Sequence, residues 1–448
     1  MVRAGTADVA VRGNCPSVHA PFLELDGALM RVRLPGGVLS TAAARALAGV
    51  ADSVGAGPIE LTNRANLQVR GIPVGRVNEA RDALVAAGLA LPDGAADERR
   101  NVLSSPTAGV DRQELVDTRA VVAAVADRLA SPDAVGLSPK FGIAVDGGGA
   151  VHVRGRTHDL TLGALACSDG TVRYEAHVGA ALPRSHGAGD RVAMVEPDRV
   201  LDVVDAVVAA CRPHGRAARF VDAKGAEHAW REINERARGA LRWRIVESGA
   251  DWAASAATVG VLPQHDDDRV TVGAAVVLGR LDATTLEALA GLADGFGSRE
   301  LRISPWRSVM FVDVPISDAD RVMDACDTMG LTCDPLDPST AVVACAGSAG
   351  CAQARADVQG DARRLITRLG TLRPDDRVGS VHVSGCEKGC ARAQPAEISL
   401  VARDNGTYDL YAASARDPRA RHPRFGRQVH CGLEPDAAID VVVASKFA

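Results

Sequence analysis

Apolar and basic residues alternate from Leu29 to Leu34, with Met30, Val32 and Leu34 set against Arg31 and Arg33. That two-residue period predicts a half-buried strand, whose arginines face solvent. Ser40 stands where an N-cap belongs, ahead of a helix-spaced stretch from Thr41 to Val54. Pro58 to Leu61 and Leu67 to Ile72 read as two further strands, and Arg76 to Gly88 as a second helix. The same order returns later: strand Val270 to Leu278, helix Ala283 to Ala293, strands Glu300 to Ile303 and Val309 to Val314, helix Asp318 to Gly330.

The return is a repeat. Ala46 to Gly55 reads ALAGVADSVG and Ala288 to Gly297 reads ALAGLADGFG, identical at seven of ten positions and offset by 242. The same offset pairs Ile59 with Leu301, Thr62 with Ser304, Pro73 with Pro315 and Gly88 with Gly330. A constant offset points to duplication and fusion. The order β-α-β-β-α predicts an α+β fold: two ferredoxin-like half-domains, each a small antiparallel sheet with helices on one face. A larger mixed α/β segment follows each copy, giving a pseudo-two-fold chain.

The expected boundaries are 1–92 for an N-terminal arm and the first half-domain, 93–265, 266–335 for the second half-domain, and 336–448. In 93–265 helices are expected at 112–130, 198–211 and 226–238, and strands near 141–145, 151–153 and 171–178. In 336–448 strands are expected near 341–344, 380–383, 396–402 and 407–411, and helices near 355–369 and 433–445. Asp266, Asp267 and Asp268 read as a solvated turn between the halves.

Composition narrows the class. Of 448 residues 47% are hydrophobic but only 3% aromatic, so the cores must rest on aliphatic side chains. The net charge of −5 argues against a nucleic-acid coat or an anionic-membrane protein. The first twenty residues show no secretory signal and no apolar run is long enough to span a bilayer, which predicts a cytoplasmic protein. Ten cysteines in a reducing compartment read first as metal or redox ligands.

Four of them are grouped. Cys345 and Cys351, then Cys386 and Cys390, give Cys-x5-Cys, 34 residues, Cys-x3-Cys. Four thiolates can close around an iron–sulfur cubane; a structural zinc site or four buried cysteines are the alternatives. Cys386 and Cys390 are four apart, so one helical turn would align their sulfurs. Cys15, Cys167, Cys211, Cys326, Cys333 and Cys431 show no grouping and read as small buried side chains, Cys15 least clearly.

Cations recur in loop contexts. Arg64 lies in TNRANLQVR, Arg100 and Asn101 open RRNVLSSPTAG, Lys140 lies in SPKFGIAVDGGG, and Lys388 sits between the last two cysteines. Arginine and lysine are natural partners of carboxylates. The eleven histidines show no metal-binding spacing, and His382 and His430 read as satisfied structural residues. No serine triad, dinucleotide-binding glycine motif or Walker loop is present, so electrons should come from a separate donor.

Together these features resemble the sulfite and nitrite reductase superfamily, over about Phe22 to Tyr411. The resemblance implies a tetrapyrrole site between the pseudo-symmetric halves, against a [4Fe–4S] cluster on Cys345, Cys351, Cys386 and Cys390. It makes 93–265 the first tetrapyrrole-binding domain and 336–448 the cluster domain. It implies that Thr62, Arg64, Gln68, Arg100, Asn101 and Lys140 bind the substrate, and Lys388, between the last two cysteines, is expected to bind it as a further carboxylate clamp. Within the superfamily the RGNCPSVHAPF arm, KFGIAVDGGG and SGCEKGCA resemble the precorrin-3B synthase branch. That branch implies precorrin-3A and O2 as substrates, a mononuclear non-haem iron besides the cluster, and an external donor (ferredoxin or a reductase fed by NAD(P)H). Reductases commonly carry a second lysine where this chain has Gly142. The second copy has Ser304, Pro305 and Trp306 in place of Thr62, Asn63 and Arg64, so only the first motif is expected to function. A siroheme-dependent sulfite or nitrite reductase and a non-catalytic iron–sulfur electron carrier are the alternatives.

Overall fold

The computed structural model describes residues 15–179, 190–245, 255, 257–392, 394–413 and 424–445. Arg12, Gly13 and Asn14 of the arm lie outside them.

Both copies form the expected elements. The first has strands Gly27–Val32, Ile59–Leu61 and Leu67–Ile72 with helices Thr41–Ser53 and Val77–Ala86. The second has strands Arg269–Ala275, Glu300–Ile303 and Ser308–Pro315 with helices Ala283–Phe296 and Ala319–Thr328. Ser40 caps its helix by accepting from the Ala43 amide at 3.2 Å, and Asp282 does the same in the second copy through Thr285. Left-handed backbone also recurs at the offset of the repeat: Gly36 with Leu278, Ala65 with Arg307, Gly71 with Asp313.

The copies exchange edge strands. Val38–Ser40 of the first pairs with Glu300–Ile303 of the second, and Arg280–Leu281 of the second pairs with Ile59–Leu61 of the first. Helices Thr41–Ser53 and Ala283–Phe296 pack together, with Leu47, Ala48, Leu289 and Ala290 buried in one shared core. A capped edge removes an aggregation-prone row of unpaired amides, and reciprocal capping fuses the halves into one unit.

The larger segments also share a plan. In the first, Val102–Ser104, Ile143–Asp146 and Leu160–Ala166 run parallel, and Val172–Val178, Arg191–Val195 and Leu241–Ile245 continue antiparallel. In the second, Val342–Ala344, Val381–Ser384 and Ile398–Ala402 run parallel, then Tyr408–Ala412 and Arg427–Leu433 antiparallel.

Several expectations need correction. The helix foreseen over 112–130 begins only at Arg119, and 151–153 is not a strand. Arg31 and Arg33 are not surface charges: Arg31 is half-buried and Arg33 is 2% exposed. Cys431 is exposed rather than buried. The aspartates at 266–268 do form an exposed turn. Among the described residues no helix is long and apolar enough to cross a membrane.

Candidate functional site

The four cysteines lie on two loops that leave the carboxyl ends of adjacent parallel strands, the usual place for a site in such a sheet. Cys345 follows Val342–Ala344; Cys386 and Cys390 follow Val381–Ser384. The loops are laced together. Gly385 N donates to Cys345 Sγ at 3.2 Å, Arg355 N to Gly385 O at 2.8 Å, and Cys351 N to Gly347 O at 2.9 Å. Cys386 to Cys390 is a tight turn rather than a helical one, with Gly389 N donating to Cys386 O and Gly389 left-handed.

The first copy and the exchanged strand hold the cysteine loop. Arg70, paired with Asp26, donates to Gly350 O at 2.5 Å, and Arg280, paired with Glu60, donates to Ala346 O at 3.5 Å. A Cβ at Gly350 would lie 2.8 Å from the Arg70 guanidinium, so this contact needs glycine.

The thiols face one another. Burial pushes Cys390 up to about 11; Lys388 pulls it down, and the other three cysteines push it up. Burial likewise raises Cys345, while the Gly385 and Gly347 amides lower it. Yet among the described residues no group of three or more His, Cys, Asp or Glu is close enough to hold a single metal ion. Four soft donors on two loops laced together, one already receiving a backbone N–H, are of the chemistry that fits an iron–sulfur group.

A belt of cations runs beside them. Arg31 faces Arg33 and Arg64; His158 faces Arg64, Arg156 and Arg216; Arg156 faces Arg307 and Arg392; and His382 faces Arg307 and Arg392. Burial lowers Arg31, Arg156 and Arg307 each to about 10, and His158 to about 4. His382 is fully buried at about 3, with neither ring nitrogen partnered, so it is not the satisfied histidine expected. Arg33 has Asp97 and Glu98 beside it and Arg216 pairs with Asp159, but among the described residues no carboxylate acts on Arg156 or Arg392, and a buried cation without an acid favours a bound anion.

The residues expected to bind substrate divide by how their polar atoms are used. Arg64 is half-buried and its guanidinium has no partner among the described residues. Thr62 Oγ1 accepts from Arg64 N and Asn66 N, holding the turn that presents Arg64. Gln68 is tied to Arg31 at 2.6 Å and to Glu60 at 3.1 Å. Arg100 pairs with Asp97, leaving a buried Nε unpartnered. Asn101 is spent on structure: Oδ1 accepts from Arg33, and Nδ2 donates to the carbonyls of Glu98, Pro139 and Phe141. Those last bonds fix the segment that carries Lys140. Lys140 and Lys388 are exposed.

Sequence reasoning passed over Arg31, Arg156, Arg307, Arg392, His158 and His382. Arg307 carried a signal: it occupies the place of Ala65 in the repeat, beside the Ser304–Trp306 stretch set aside as inert.

Two family models match the chain. The nitrite/sulfite reductase ferredoxin-like half domain covers residues 24–87 and 262–328, which are the two copies. The nitrite and sulphite reductase 4Fe-4S domain covers residues 95–240. Between them they account for more than half of the chain. It belongs to the nitrite and sulfite reductase superfamily. Members of this superfamily are oxidoreductases, and the 4Fe-4S domain match supports an iron–sulfur cluster here. A precorrin-3B synthase of Sinorhizobium sp is 28% identical over 404 residues, 90% of this chain and 83% of that protein. A ferredoxin–nitrite reductase of Synechococcus elongatus is 29% identical over 390 residues, 83% of this chain and 76% of that one. A ferredoxin sulfite reductase of Mycolicibacterium paratuberculosis is 28% identical over 396 residues, 84% and 70% of the two chains. The structure of Mycobacterium tuberculosis NirA superposes with a TM-score of 0.74 at 22% identity, over 93% of this chain and 79% of that one, a likeness of fold.

Proposed function

We propose that this superfamily member is a precorrin-3B synthase. It hydroxylates precorrin-3A at C-20 with O2 and closes a γ-lactone from the ring A acetate. One atom of O2 enters the macrocycle, the other leaves as water, and two electrons come from an external donor, a ferredoxin or a reductase fed by NAD(P)H.

The observation that carries this is the cation belt. Arg31 and Arg64 form one group, Arg156, Arg307 and Arg392 another at the cysteine loops, where Arg307 donates to Ala391 O, and Arg64 has no partner of its own among the described residues. A tetrapyrrole rich in carboxylates complements such a surface, and bidentate Arg–carboxylate pairs fix its orientation. Arg64, Arg100 and Lys140 act as carboxylate clamps, with Lys388 at the cysteine end. Thr62, Gln68 and Asn101 hold those clamps in place. Two further points favour the synthase branch: the Sinorhizobium protein bears that name, and Gly142 stands where a second lysine would serve a small oxyanion.

Cys345, Cys351, Cys386 and Cys390 would hold a [4Fe–4S] cluster, which when bound supplies one-electron transfer. A mononuclear non-haem iron finds no three-ligand protein set among the described residues.

Anaerobic purification followed by an absorption spectrum with iron and labile-sulfide analysis tests this. A four-iron signature without siroheme bands is expected. Siroheme bands would identify a sulfite or nitrite reductase instead.

A further inference from the structure

The second copy was expected to be inert, because it lacks the Thr-x-Arg motif. Its turn nevertheless carries Arg307 at the position of Ala65, in the same left-handed conformation, φ 64° against 56°. The stem of Arg307 runs over Gly279, where a Cβ would lie 2.4 Å from Cδ. A Cβ at Gly37, the counterpart of Gly279 in the repeat, would meet the Ile303 carbonyl at 2.4 Å and Ala65 at 3.1 Å instead. The fold therefore keeps a slot for a long side chain in one copy only.

Arg307 does not stand alone. Its guanidinium donates to Ala391 O at 2.6 Å. Arg392, the next residue, is half-buried with Nε unpartnered. Arg156 donates to Asn63 O and Pro305 O and lies 4.8 Å over the Trp306 ring. Among the described residues the hydrogen bonds of Arg156 and Arg307 all go to backbone carbonyls, and none of the three guanidiniums bonds a carboxylate. Among the described residues the acid whose charge acts on Arg307 is Glu60, which is already paired with Arg280 at 2.7 Å. His382, wholly buried and without a hydrogen-bond partner among the described residues, lies near Arg307 and Arg392. Three half-buried cations whose hydrogen bonds reach no carboxylate among the described residues repel one another, and an anion placed between them relieves that repulsion.

We propose that Arg156, Arg307 and Arg392 form a second carboxylate-binding subsite, built by the second copy where it meets the cluster domain and independent of Arg64. It deepens the tetrapyrrole reading of the cavity and rests on it. Its ligand is a carboxylate side chain of a polycarboxylate macrocycle, gripped close to Cys345, which Arg307 also faces.

The test uses anaerobically purified protein with its cluster and uroporphyrin III, an octacarboxylate, as probe. Arg307→Ala restores the residue that the first copy carries in the same backbone conformation, so the fold tolerates it. Arg392→Gln is the companion variant. Each is expected to weaken uroporphyrin III binding about ten- to hundredfold, the effect of losing one charge-assisted contact, with the cluster spectrum unchanged. Unchanged affinity in both variants would overturn the subsite. If the protein instead purifies with siroheme, the synthase assignment fails, and the subsite is judged by siroheme content: a loss in Arg307→Ala sustains it and full occupancy refutes it.

Discussion

Asn63 and Pro305, equivalent positions of the repeat, place their carbonyls on one guanidinium: Arg156 donates to the first at 3.0 Å and to the second at 3.3 Å. A single side chain from the first large segment thus ties together the two turns that face the cation belt. Arg156→Lys keeps the charge but loses the planar fork. The variant should melt several degrees lower than wild type, since charged hydrogen bonds contribute about 1.5–3 kcal/mol each in buried settings. A thermal melt of the cluster-loaded protein checks this, and an unchanged midpoint would show that the bridge carries no load.

Cys351→Ala should reduce iron and acid-labile sulfide to background, while Cys431→Ala, on an exposed strand away from the quartet, should leave both intact. Elemental analysis of the two variants decides it. Stoichiometric zinc in the wild type would replace the cluster with a structural metal.

Arg64→Ala should weaken uroporphyrin III binding about tenfold or more and leave the cluster absorption unchanged, because among the described residues its guanidinium makes no contact that holds the fold. Loss of the cluster along with binding would make Arg64 structural.

The strand exchange predicts that residues 15–92 do not fold alone. Their sheet lacks Arg280–Leu281, and their helix Thr41–Ser53 loses the helix it packs against. Circular dichroism of that fragment should show no cooperative melt; a sharp transition would contradict the shared core.

Glu114 offers a pH test. Burial raises its carboxyl from 4.5 to about 7, and Asp117, Asp111 and Asp146 add to the shift, against the Gly109 amide that donates to it. The native state holds this proton more tightly than the unfolded chain does. Its stabilising contribution is therefore complete below pH 4.5 and is lost as pH rises through about 7. Glu114→Gln should raise the melting temperature at pH 8 and change it little at pH 4. An equal shift at both values would show that the ionisation is not responsible.

The local elements were legible in the chain because they rest on local physics. Ser40 announced its helix by chemistry, and Leu67–Ile72 announced its strand by composition. The 242-residue offset disclosed the duplication. The exchange of Val38–Ser40 and Arg280–Leu281 was not legible, since pairing partners far apart leave no period. Arg31 and Arg33 misled for a related reason. Alternation tells which face of a strand is polar, not whether another domain covers that face, and here the Asn101 segment does. Glycines around Cys386 and Cys390 should have warned against a helix, because Gly389 takes a left-handed conformation that ends one.

Under the proposed function a carboxylate-rich tetrapyrrole is oxygenated beside these cysteines. Anaerobic protein, reduced and supplied with precorrin-3A and ¹⁸O₂, tests it by mass spectrometry of the product. One labelled oxygen atom per macrocycle is predicted. Recovery of unlabelled, unchanged precorrin-3A by cluster-replete protein would contradict it.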